Sequence, residues 1–202
     1  MRKILLTIAF VLMSFSICFG QTNQNLANKI NKMYELDQSV QTDVMIANQN
    51  GVTKEKMDEL FKKVPETFKK HIPILKQIIA ENGYPTYDLV GKTAGDNFFT
   101  MVQHSDADLQ FQKDCLRIIA KLVKKKQANA RSFAYLTDRV NINSGKPQIY
   151  GTQLDYKDDK AIPKNLKDPK NVNKRRLEMG LDSLEDYLRK ATEFHQQMNK
   201  KN

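Results

Sequence analysis

Histidine and cysteine, which supply most transition-metal ligands and many nucleophiles, are scarce in this sequence. Among 202 residues there are three histidines and two cysteines. A zinc site would therefore need carboxylates to complete it, and we expect no metal. We expect no cofactor either, because the sequence has no glycine-rich phosphate loop, no His-Glu-x-x-His string and no cysteine pair of redox or zinc spacing. The Gly-x-Ser-x-Gly elbow of many hydrolases is missing as well.

The N-terminus has the pattern of an export signal. Two basic residues precede an uncharged, largely apolar run over residues 4–19, and Cys18 and Gly20 occupy the positions that a signal peptidase reads. We predict a signal peptide over residues 1–20, cleaved after Gly20, and one domain over residues 21–202 in the periplasm or outside the cell. A membrane anchor is the alternative, although the run is short for a membrane span.

Only one cysteine, Cys115, remains after this cleavage, so no internal disulfide is expected. Phe111, Ile118 and Leu122 share its predicted helical face. Packing as a small apolar residue is the favoured interpretation, and a reactive thiol is the weaker one.

The charge balance is basic. Lys and Arg number 33 against 23 Asp and Glu, which gives a net charge of +10; residues 1–20 hold two of the basic residues and no acidic one, so the mature chain carries +8. The positive residues are spread along the chain without a recognised module or interleaved aromatics, so no nucleic-acid partner is expected. At most, we expect weak electrostatic association with an anionic membrane surface, fading as salt is added.

Apolar residues recur at helical spacing along most of the chain, which predicts a mainly α (α+β) single domain with a bundle-like core. Pro65 and Pro73 predict a kink in the second helix, or its division into two. The segment over residues 106–126 has apolar residues around most of the circumference of its predicted helix, and we expect it to be the central helix.

One stretch departs from the helical pattern. Val140 and Ile142 alternate with polar residues, and Gly145 supplies a turn, so we predict one small β-hairpin near residues 139–154. Its polar face would hold a row of donors and acceptors. Such a row is either a binding surface or a buried network whose members satisfy one another.

Several strings occur in an order and spacing that cover nearly all of the mature chain. They are Gly83-Tyr84-Pro85, Gln103-His104-Ser105-Asp106, Ala134 to Arg139, Gly145 to Gln153, and Arg176 to Leu181. Together they resemble the secreted bacterial family known only as domain of unknown function 6624. The resemblance implies no established activity, substrate or cofactor. It implies only a set of recurring polar positions: His104, Asp106, Asp138, Arg139, Gln148, Tyr150, Gln153 and Arg176.

The chemistry of these side chains supports two hypotheses. In the first, an exported binding or interaction module holds a small or extended polar or anionic ligand in a polar groove; its candidate ligand-binding residues are Arg139, Gln148, Tyr150, Gln153 and Arg176. In the second, a hydrolase-type enzyme uses His104 as general base, and its candidate catalytic residues are His104, Asp106 and Asp138. Either carboxylate would orient the imidazole. Arg139 or Arg176 would stabilise the negative charge that develops on the substrate. The first hypothesis is preferred, because no assembled nucleophile is visible in the sequence.

Overall fold

The computed structural model describes residues 22–199, and the predicted signal peptide lies outside them. The helices are α1 Gln24–Gln49, α2 Lys54–Asn82, α3 Tyr87–Gln103, α4 Leu109–Lys124, α5 Ala130–Asn143, α6 Val172–Glu178 and α7 Leu184–Asn199. One antiparallel pair of strands, β1 Leu154–Lys157 and β2 Lys160–Pro163, separates α5 from α6. The predicted class, mainly α with one small hairpin, is confirmed.

Helix α3 is at the centre of the bundle. It contacts α1, α2, α4 and α5, and its Phe98, Met101 and Val102 are almost completely buried. The prediction that the segment over residues 106–126 would be central is wrong. Within it, α4 leaves apolar side chains such as Leu116 and Leu122 only partly buried, because it packs at the edge of the core.

Both prolines of α2 lie inside a continuous helix of 29 residues, so the predicted division into two helices does not occur. Pro65 and Pro73 are exposed. Proline removes a backbone donor, and at these positions the freed carbonyl groups are on the side that water can reach. Residues on the opposite face, Leu75 and Ile78, are buried in the core.

The hairpin is present, but the predicted position near residues 139–154 is wrong. Residues up to Asn143 continue helix α5, because Leu136 and Val140 are one helical turn apart and both are buried. The turn between β1 and β2 is formed by Asp158 and Asp159, which both have positive φ. Aspartate tolerates this conformation, and two such residues match the twist of a two-residue hairpin. The segment over residues 144–153 is instead a loop that leads from α5 to β1.

Candidate functional site

His104 is held by a buried carboxylate from another helix. It follows the last residue of α3 as the C-cap, and its Nδ1 lies 2.9 Å and 3.1 Å from the two carboxylate oxygens of Asp37 in α1. Asp37 is completely buried. It also accepts a 2.8 Å hydrogen bond from the amide of Gln38. A buried carboxylate needs such donors, so the contact fixes the orientation of the imidazole ring.

Helix α2 completes the surroundings of this pair. The ring of Phe68 stacks on His104 with centroids 4.4 Å apart. One turn further on, His71 is buried, and its Nδ1 lies 3.9 Å from Asp37 Oδ2, too far for a hydrogen bond. Burial lowers the pKa of His71, with Asp37 opposing the shift and His104 adding to it. We call Asp37, His71 and His104 the Asp37 cluster.

The geometry assigns different tasks to the two nitrogens of His104. An ionised carboxylate can only accept, so Nδ1 carries the proton that it donates to Asp37, and Nε2 is left as the acceptor. Within the described residues Nε2 has no hydrogen-bond partner, yet it is not sealed from solvent. An imidazole oriented in this way is able to remove a proton from a molecule that approaches Nε2.

Among the described residues, no serine, threonine or cysteine side chain is hydrogen-bonded to His104. The adjacent Ser105 is buried, and its hydroxyl donates to the backbone oxygen of Met101 at 2.8 Å. A reaction at this site would therefore use water or a hydroxyl of the substrate as nucleophile.

Asp106 does not orient His104, because its carboxylate pairs with Arg139. Arg139 donates from Nε and Nη2 to the two oxygens of Asp106, each at 2.9 Å. Gln112 and Asn143 donate to the same carboxylate at 3.1 Å. Burial raises the pKa of Asp106, but the hydrogen bonds and charge of Arg139, with those two amides, outweigh it and lower the pKa. The pair is partly exposed, 45% for Asp106 and 27% for Arg139.

Asp138 does not reach His104 either, because it anchors the loop after α5. It is completely buried, and it accepts from the backbone N–H groups of Ile149 at 2.6 Å, Tyr150 at 3.0 Å and Thr152 at 2.9 Å. The hydroxyl of Thr152 donates to it at 3.0 Å. These four donors satisfy the carboxylate and close the loop against α5.

Gln148 and Gln153 bind within the same loop. The amide of Gln148 donates to the backbone oxygens of Gln153 at 2.9 Å and Lys164 at 2.6 Å, and it accepts from the Gln153 N–H at 2.9 Å. The Gln153 side chain donates to the Thr152 hydroxyl. Gln148 is completely buried, so its amide serves the fold of the loop.

Arg176 joins this loop to α6 and α7. Its guanidinium donates to the backbone oxygens of Tyr150 at 2.6 Å and Asp182 at 2.7 Å and lies over the ring of Tyr187. Both Arg176 and Tyr150 are buried. We call this set the loop network; its members are Asp138, Gln148, Tyr150, Thr152, Gln153 and Arg176. No hydrogen bond of the described residues connects it to His104.

The other two members of the Asp37 cluster, Asp37 and His71, are absent from the candidate residues of the sequence. A signal for Asp37 exists: it falls on the apolar face of α1, seven positions after Ile30 and three before Val40, both fully buried. His71 likewise shares the buried face of α2 with Leu75. A polar residue at a core position of an amphipathic helix indicates a buried partner, although not which one.

Cys115 is buried, as predicted, and burial raises its pKa to about 12, so the thiol stays protonated and packs as an apolar group. Residues 22–199 contain no group of three or more His, Cys, Asp or Glu side chains suited to hold a metal ion. Nor does any helix in this range have the length and apolar character needed to cross a membrane.

Comparison with known proteins gives one match. A family model described as "Family of unknown function (DUF6624)" matches residues 24–197, which span α1 to α7 and include both the Asp37 cluster and the loop network. No curated protein and no solved structure matches the chain.

Proposed function

The chain belongs to the DUF6624 family, and we propose that it is a hydrolase-type enzyme in which His104 is the general base and Asp37 orients it. The contact of His104 Nδ1 with both oxygens of the buried Asp37 carries this proposal, because it leaves Nε2 as the only basic nitrogen of the ring. In this proposal Asp37 orients the imidazole, the role for which Asp106 and Asp138 are the candidates from the sequence.

In the proposed reaction, Nε2 removes a proton from water as the water oxygen bonds to the electrophilic carbon or phosphorus of the substrate. The imidazolium that forms donates from Nδ1 to the Asp37 carboxylate, whose negative charge stabilises it. The proton on Nε2 then passes to the leaving group when the bond to that group breaks, which restores neutral His104. Burial lowers the pKa of His71, which favours its neutral form and disfavours a second positive charge beside the imidazolium.

Arg139 is the candidate for stabilising negative charge on the substrate. It is partly exposed, and Asp106, its partner, is two positions after His104. Asp106 occupies Nε and Nη2, while Nη1 has no acceptor among the described residues. Arg176, the other candidate, already donates to two backbone oxygens inside the loop network.

The same free Nη1 supports a second candidate function, an exported binding or interaction module for a polar or anionic ligand. In this form the ligand lies against Arg139 and His104, since Gln148, Tyr150 and Arg176 are engaged inside the protein. Export itself rests on the pattern of residues 1–20, and weak association with an anionic membrane surface rests on the positive net charge.

His104→Asn is the sharpest test, because the asparagine amide can replace Nδ1 as donor to Asp37 but has no basic nitrogen. His195→Asn on α7 is the matched control, outside the Asp37 cluster. Hydrolysis of ester, phosphodiester, peptide and glycoside substrates is measured with both variants. We expect one class to be hydrolysed, with turnover lowered about 10²-fold to 10⁴-fold by His104→Asn and unchanged by His195→Asn.

Acylation of histidine by diethyl pyrocarbonate, mapped by mass spectrometry, tests the geometry without a known substrate. His104 should react at Nε2, while buried His71 should be protected. Turnover that survives His104→Asn contradicts the enzyme proposal. Saturable binding of a polar ligand that needs Arg139 and leads to no turnover favours the binding module instead.

A further inference from the structure

A groove between α2 and α4 contains two adjoining cavities that no part of the proposed reaction uses. One has a volume of about 370 Å³ and the other about 270 Å³. Lys76 and Asp108 line both cavities, so the two are neighbouring sections of one groove. Each is close to or within the size range of small-molecule sites.

The larger cavity is apolar. Its walls include Ile79 and Ala80 from α2 and Phe111 and Ile118 from α4, with the protonated thiol of Cys115 beside them. Asp114 also borders it, but this carboxylate is paired with Arg117 in the next turn. The cavity therefore suits a hydrocarbon or ring rather than a charged group.

The smaller cavity has positive character. Lys69 and Lys76 line it, together with the apolar Ile72 and Pro73. Lys76 is neutralised by Asp108 at 2.5 Å. Lys69, by contrast, has no acidic partner within the described residues, so one positive charge remains available to a ligand.

We propose that this groove binds an amphiphile with one anionic head group and an apolar arm, as in a fatty acid. The head group lies against Lys69 in the smaller cavity. The arm passes the Lys76 and Asp108 ion pair, where Lys76 Nζ lies 5.7 Å from the centroid of the Phe111 ring, and enters the apolar cavity. A cationic head would meet Lys69 with like charge, and a short polar anion would leave the apolar cavity unfilled. This proposal does not depend on His104.

The first test is calorimetric titration of the purified protein with decanoate below its micelle concentration. We expect saturable binding of one molecule. Ala80→Phe, which places a ring in the apolar cavity from an exposed position of α2, should lower the affinity about tenfold or more, equal to 1.4 kcal/mol. Gln77→Phe is the matched control, since Gln77 is exposed on the same helix but does not line the groove; it should leave the affinity unchanged.

The second test separates the head from the arm. Affinity should rise about threefold to fourfold for each methylene added between hexanoate and decanoate. Decyltrimethylammonium should bind at least about tenfold more weakly than decanoate. Lys69→Gln should lower the affinity for decanoate but not for decanol. Lys70→Gln, the control, should change neither affinity. No saturable binding of decanoate, equal binding of the cationic amphiphile, or an affinity unaffected by Ala80→Phe would each overturn the proposal.

Discussion

Asp138→Asn should destabilise the protein strongly, although it changes one atom. The carboxylate is buried and faces only donors, namely three backbone N–H groups and the Thr152 hydroxyl. Asparagine must direct its NH₂ group at one of them. If the NH₂ replaces Oδ1, the Ile149 N–H loses its acceptor; if it replaces Oδ2, the Thr152 N–H does.

The magnitude follows from these contacts. A buried donor without an acceptor costs about 1–3 kcal/mol, and the remaining hydrogen bonds lose the contribution of the charge, so we expect a total near 3 kcal/mol. For a domain of this size each kcal/mol lowers the unfolding midpoint by about 2–4 °C, which gives a loss of about 6–12 °C.

The assay is thermal unfolding followed by circular dichroism at neutral pH, with Asp106→Asn as the control. The pair of Asp106 with Arg139 is partly exposed, so its loss should cost no more than about 1 kcal/mol. Amide hydrogen exchange should also become faster at Ile149 or Thr152 in the Asp138 variant. If Asp138→Asn lowers the midpoint no more than the control does, the carboxylate does not anchor the loop and our description of the loop network fails.

Three further predictions concern stability. Burial lowers the pKa of His71 below its ordinary 6.5, so on acidification the unfolded chain takes up a proton at this residue before the folded protein does. The free energy of unfolding should therefore fall as pH decreases from about 6.5 through the folded pKa, by at most about 1.4 kcal/mol per pH unit. In urea titrations, His71→Gln should flatten that dependence. Gly151→Ala should cost about 2 kcal/mol or more, because φ is +71° and the new Cβ would lie 2.8 Å from a methyl group of Leu184. Gly145→Ala is the control, with the same φ but open space around the new Cβ, and it should cost less. Equal losses in the two variants would exclude the clash. Arg176→Met should cost about 2–3 kcal/mol in the same urea assay, since the buried backbone oxygen of Tyr150 and the partly buried one of Asp182 lose their donor. A variant of unchanged stability would show that water replaces the guanidinium.

The helices could be predicted from the sequence because the evidence for them is local. Apolar spacing placed α1 and α7 well, and it put Cys115 on a buried face. The hairpin was misplaced because alternation over a few residues around Val140 fits a strand and a helix equally well. The two adjacent aspartates at its true turn, Asp158 and Asp159, are also a local sequence signal, since aspartate tolerates the positive φ that both adopt.

The candidate site, like the fold, could be predicted from the sequence only in part. A buried network of polar side chains was one of the two interpretations open from the sequence. The structure places Asp138 in such a network with the loop after α5, but it pairs Arg139 with Asp106 at a partly exposed position. The partner of His104 was out of reach, because Asp37 is 67 positions away and belongs to a helix whose neighbours the sequence does not name.

The sequence by itself determined most of the helical segments and their apolar faces, the positive charge and the family resemblance. Only the tertiary structure decided that α1, α2 and α3 bring Asp37, His71 and His104 together, and that the polar strings after α5 close a loop. The physical reason is that periodicity specifies a buried face without specifying what covers it. The facing partner depends on how the helices pack, and that packing is set by the whole core at once.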